Sequence, residues 1–103
     1  MGLLLLCDTD MFAVPRPNLY ESTEGFSVEV LGQTGIRYRE FGKSTFVDSE
    51  VLAGSSGMVV YEDSIQSWEP PNEKSPMTAA DRKRILENIR AAFRFQGFNI
   101  DVI

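Results

Sequence analysis

The sequence predicts an α+β fold: an antiparallel sheet of about five strands with one long carboxyl-terminal helix packed on one face, in the order β-β-β-β-α-β. Three observations lead there. From Phe26 onward, apolar residues alternate with polar ones, the period-two signature of half-buried strands. Near the carboxyl end the spacing changes to three and four through Ile85, Leu86, Ile89, Ala92 and Phe93, which is one face of a helix. Glycine-containing breaks at residues 32–35, 42–43 and 54–57 cut the strand region into short, hairpin-sized pieces.

Residues 1–103 read as a single domain whose first 25 residues form an irregular leader, because residues 8–25 show no sustained period and contain Pro15, Pro17 and Gly25. The first strand then follows from Phe26, Val28 and Val30 alternating with Ser27 and Glu29. After the Gly32–Gly35 turn, Ile36 and Tyr38 alternate with Arg37 and Arg39 in a second strand. Gly42-Lys43 fits a two-residue hairpin turn, since glycine takes the positive φ needed at the first turn position, and Ser44–Asp48 returns. Met58-Val-Val-Tyr-Glu62, β-branched and aromatic, reads as a central strand. Thr78, with Asp81 three residues on, forms a variant capping box that starts a helix from about Ala79 to Gln96. Gly97 stands where a left-handed helix cap belongs, with Phe98 placed to fold back on Phe93. Phe98–Ile103 alternates again and makes the last strand.

Composition narrows the chemistry. With 103 residues, 43% of them hydrophobic, the chain is long enough to bury one core without staples. One cysteine, Cys7, excludes an intramolecular disulfide framework, and the absence of histidine removes the commonest metal ligand and the commonest general base near neutral pH. The net charge of −5 is uneven: residues 1–76 carry 5 Lys+Arg against 12 Asp+Glu, whereas residues 77–103 carry 5 against 3. Such an acidic part repels nucleic-acid phosphates and favours basic partners.

The start, Met1-Gly-Leu-Leu-Leu-Leu-Cys7, lacks the positive charge and the longer apolar run of a secretory or lipoprotein signal, and Leu6 stands where a myristoylation start wants Ser or Thr. No stretch reaches transmembrane length. The expected location is cytoplasmic, with no membrane partner.

Leu3–Cys7 followed by Asp8-Thr-Asp10 looks like the nucleophile strand of haloacid-dehalogenase-type phosphatases, in which the first Asp attacks phosphorus beside Mg²⁺. Met11-Phe12 departs from that family's pattern, and the chain is too short for its doubly wound domain. The segment reads better as an apolar strand or tail leading into a polar turn. Cys7 and the serines lack a histidine to activate them. Gly54-Ser-Ser-Gly57 lacks the Gly-Lys-Ser/Thr end of a phosphate loop and leads into a strand. The helix basics Arg82, Lys83, Arg84, Arg90 and Arg94 read as a solvated face. The expectation is no enzyme, no cofactor and no metal site.

The stretch Tyr61-Glu-Asp-Ser-Ile-Gln-Ser-Trp-Glu-Pro-Pro71 is different in kind. Pro70 and Pro71 fix φ and push their predecessors towards extended backbone, so the loop is stiff and loses little entropy when held. Tyr61 and Trp68 are hot-spot residue types, and Glu62, Asp63, Glu69 and Glu73 surround them with negative charge. These six are the candidate partner-binding residues. For Trp68 two roles stand open, core beneath the helix or contact. A self-associating module, paired through the terminal strand Phe98–Ile103 into a homodimer, is the alternative function.

The order Tyr61, Asp63-Ser64-Ile65, then Trp68-Glu-Pro-Pro71, together with Thr34–Glu40, Phe46–Gly54, Arg84–Arg90 and Phe95-Gln-Gly-Phe98, resembles a small family of bacterial immunity proteins. Such proteins are antidotes encoded beside polymorphic or contact-dependent toxins, and the likeness spans about residues 26–103. The resemblance implies an α+β protein without enzymatic activity that binds and blocks a cognate protein toxin inside the producing cell. It transfers no established binding residues. The Leu-rich start falls outside it, as a divergent extra strand or an extended start of the reading frame.

Overall fold

The computed structural model describes residues 12–32, 34–51, 57–97 and 99–103. Leu3–Cys7, Asp8 and Asp10, most of the Gly54–Gly57 turn and the side chain of Phe98 lie outside the described residues. Among those described, seven strands form one sheet in sequence order: β1 (Phe12–Arg16), β2 (Leu19–Ser22), β3 (Phe26–Val30), β4 (Gly35–Glu40), β5 (Lys43–Val51), β6 (Gly57–Val60) and β7 (Asn99–Val102). Between β6 and β7 come a 3₁₀ turn, Glu62–Ser64, and the helix α1, Ala79–Phe95. The α+β class holds, with one carboxyl-terminal helix. The sheet is larger than the expected five strands, and its last pairing differs.

Both extra strands come from the segment expected to be an irregular leader. Phe12–Arg16 and Leu19–Ser22 form a hairpin around Pro17-Asn18, with Asn18 at φ 70°, and β2 pairs with β3 through Tyr20 opposite Val28. The prolines misled because proline weakens a central strand but is tolerated at an edge, and β1 is an edge strand with a register break between Ala13 and Arg16. Phe12 is the anchor. Its ring lies 5.7 Å from Phe26 and 5.3 Å from Phe95, joining the hairpin to both sheet and helix.

The sheet is antiparallel from β1 to β6, but β7 runs parallel to β6. A helix between two strands of one sheet provides the long crossover that a parallel pair needs. The β4–β5 turn is Phe41-Gly42, one residue earlier than expected, because Glu40 pairs with Lys43. Both turn residues have positive φ, 48° for Phe41 and 79° for Gly42, as a type I′ turn demands. Phe41 bears a strain on the order of 1 kcal/mol for this and stays 78% exposed.

The helix begins as the sequence predicts. Thr78 Oγ1 accepts from the Asp81 amide at 3.1 Å, and the Asp81 carboxylate accepts from the Thr78 amide at 3.0 Å. Ile85, Leu86, Ile89, Ala92 and Phe93 are all buried against the sheet residues Val28, Ile36, Tyr38, Val47, Val60 and Ile100. Gly97 takes φ 86° at the far end. The helix basics are not all simply solvated: Arg84 makes a two-pronged bond to buried Glu40, at 2.6 and 3.1 Å, and reaches Asp81 at 2.9 Å, while Arg82 and Arg90 donate to the Met77 and Ile100 carbonyls. Tyr38 Oη donates to the same Glu40 at 2.7 Å and accepts from Asn88. Burial first, and then the neighbouring carboxylate, pushes the Tyr38 phenol pKa well up, even though the Asn88 bond works against it. The network ties the first turns of α1 to β4.

Candidate functional site

β6 pairs with β5 only through Ser49–Val51, which leaves the first part of β5 with one side unpaired by a strand. Residues 61–69 run along that side instead. The Tyr61 amide donates to the Asp48 carbonyl at 3.0 Å, and the Asp48 amide donates to Ser64 Oγ at 2.9 Å. Thr45 Oγ1 donates to the Ser67 carbonyl at 2.9 Å, and the Glu69 amide to the Ser44 carbonyl at 2.7 Å. The candidate loop is thus built as an edge cover for β5. Such cover satisfies backbone groups that would otherwise invite another chain.

Its side chains part along this path. Ile65 and Trp68 turn into the core, and Trp68 is only 2% exposed, with the Lys43 ammonium 5.1 Å from its ring centre. Of the two roles open for Trp68, the structure shows core. Glu69 turns the other way, across the sheet face opposite the helix. There its carboxylate accepts from Ser44 Oγ at 2.8 Å and from Arg37 Nε at 3.3 Å. The Ser44 bond first, and Arg37 second, hold the Glu69 pKa below the usual carboxylate range against the opposing effect of desolvation. Glu62, Asp63 and Glu73 remain exposed.

Tyr61 lies at the other end of the same edge. Its hydroxyl donates to Glu50 Oε1 at 2.8 Å, and that bond raises its pKa. Ser44, beside Glu69, and Asp48, beside Tyr61, are four residues apart on β5, a span on the order of 13 Å. The structure therefore brings Tyr61, Glu62 and Asp63 together at one end, places Glu69 at the other, and removes Trp68 from the surface.

Three further residues join the Tyr61 end. Along β5 the alternation puts Thr45, Val47 and Ser49 on the helix side, all buried, and Phe46, Asp48 and Glu50 on the opposite face, all exposed. Alternation within Ser44–Asp48 already places Phe46 and Asp48 on one face, and only Glu50 lies past the strand end expected from sequence. Phe46 rests on Gly35, where an added Cβ would come within 2.7 Å of its ring. On the same face Arg16 pairs with Glu29 at 2.7 Å and Arg37 with Glu69, whereas Asp48, Glu50, Glu62, Asp63 and Glu73 meet no cation among the described residues. The described residues contain no group of three or more acids or cysteines placed to hold a metal ion, and no helix among them is long and apolar enough to cross a membrane.

Fold and surface together define a small α+β protein with a helix on one side of its sheet and an acidic, aromatic-bearing edge on the other. The chain belongs to the Immunity protein 74 family, whose model matches residues 27–103, from β3 through β7. The β1–β2 hairpin lies before the matched region. Comparison with curated proteins and with solved structures gives no match.

Proposed function

We propose that the chain protects the bacterium producing it by binding a cognate toxin directly in the cytoplasm and blocking it, without catalysis of its own. Family membership supports the toxin-neutralising role. One structural observation carries the direct-binding part: an edge loop pinned by six hydrogen bonds from or to β5 leaves Tyr61, Glu62 and Asp63 beside Asp48 and Glu50, an acidic cluster with no paired cation among the described residues. Held rigidly, such a surface loses little entropy on association, and its charge selects a basic protein while repelling nucleic acid.

The test is to express the chain with an inactivated form of the toxin domain encoded by the adjacent reading frame, and to measure complex formation at low and high salt. A stable complex, weakened by salt and by the double substitution Glu62→Lys/Asp63→Lys, is the expected result. Failure to form any complex overturns the reading.

The self-associating alternative keeps one observation in its favour, since β7 is the last strand of the sheet and Ile103 beyond it is exposed. Disrupting that strand is no clean test, because Ile100 within it is buried in the core. Sedimentation across a wide concentration range does: a dimer that persists on dilution supports it, and a monomer throughout removes it.

A further inference from the structure

We infer that the face of the sheet opposite the helix, centred on Phe46 and flanked by Asp48, Glu50 and Tyr61, is the main docking surface for the partner, and that the partner offers a basic, partly apolar protein surface. The inference rests on the toxin-binding reading above and moves the centre of contact from the loop onto β5.

Phe46 is the first reason. It adds nothing to the core, being 39% exposed on the side away from α1. Yet it is not loose, because Gly35 on the neighbouring strand leaves bare backbone on which its ring lies. An aromatic ring exposed but seated is already in place for burial by a partner, which reduces the ordering cost of association. Aromatic anchors of this kind dominate binding energy at protein interfaces.

The second reason is how Tyr61 and the acids are set. The Tyr61 hydroxyl is tied to Glu50, so the second ring is also held, and among the described residues only one of the two Glu50 oxygens is used. Asp48 spends its backbone on the edge loop and leaves its carboxylate exposed. Two aromatic rings and two carboxylates therefore share one part of this face.

Charge then selects the partner. Arg16 and Arg37 on this face are neutralised by Glu29 and Glu69, and Arg39, exposed towards the β4–β5 turn, lies at the opposite end. The end around Asp48 and Glu50 is left negative. It complements Lys or Arg side chains bordering an apolar patch and repels phosphate groups. Trp68, by sequence the obvious anchor, is inside the core and unable to serve.

The experiment titrates the full chain with the inactivated toxin domain from the adjacent reading frame, by calorimetry. Phe46→Ala and Asp48→Lys are expected each to weaken binding by about tenfold or more, while Glu87→Lys, an equal charge change on an exposed helix position, retains affinity. Asp48→Lys keeps the test valid should Phe46→Ala fail to fold, since the Asp48 side chain is exposed and makes no bond among the described residues. Wild-type affinity in a folded Asp48→Lys, with binding lost only in Glu62→Lys/Asp63→Lys, overturns this surface and leaves toxin binding standing. A wild-type chain that does not bind overturns both.

Discussion

Removing the indole of Trp68 leaves a cavity beneath the loop that covers β5, where the side chain is buried with Ile65 among the core residues. Trp68→Ala is expected to cost about 3–5 kcal/mol, measured as a lower urea midpoint, a large share of what a domain of this size usually has. The tryptophan thus acts on any partner only through the loop it anchors. Glu69 behaves differently from a free surface acid. Glu69→Lys reverses its charge and also breaks the bonds to Ser44 and Arg37. A pH dependence follows from the same contacts. Because the folded pKa of Glu69 lies below its ordinary value, its contribution is present above the unfolded value of about 4.3 and is lost as pH falls through the lowered folded one. The stability gap between the wild type and Glu69→Gln is expected to be about 1 kcal/mol or less at neutral pH, since both ion-pair partners are partly exposed, and to close below about pH 4. Urea midpoints taken between pH 7 and pH 3 check it; a gap that widens on acidification contradicts the assignment.

The loop and the strand it covers stand or fall as a pair. Ser64 Oγ accepts from the Asp48 amide and donates to the Tyr61 carbonyl at 2.6 Å, so it joins the loop's turn to β5. Ser64→Ala leaves that amide without its partner, at a cost of about 1 kcal/mol. Hydrogen exchange read residue by residue is expected to show faster exchange at the Asp48 amide, with the helix amides unchanged. The helix was the most legible element because all its signals are local: a capping box three residues apart, one apolar stripe and a terminal glycine. The edge cover was not legible, since nothing within Tyr61–Glu69 reveals that its bonding groups meet Ser44, Thr45 and Asp48, some 13 to 25 residues earlier. Arg84 illustrates the same gap, for its partner Glu40 is 44 residues away.

Across the molecule, the β1–β2 hairpin lies before the part matched by the family model, yet it shares the same core. Phe12→Ala separates the two ways of viewing residues 12–22. If the hairpin is integral, deleting a ring packed against Phe26 and Phe95 lowers stability by about 3–5 kcal/mol, seen as a drop in Tm. A leader outside the fold would leave Tm where it was. Legible in the chain alone were the α+β class, the helix with its apolar stripe and cap, the alternating faces of β3 to β5 and the excess of negative charge. Each of these is written in neighbouring residues, through period, propensity or simple counting. It took the folded molecule to show that β7 runs parallel to β6, that proline-bearing residues form an edge hairpin, that Trp68 is core, and that Phe46 faces outward over Gly35. Those outcomes depend on which distant strand or side chain arrives alongside, and burial is a property of the assembled layers, which no local pattern contains.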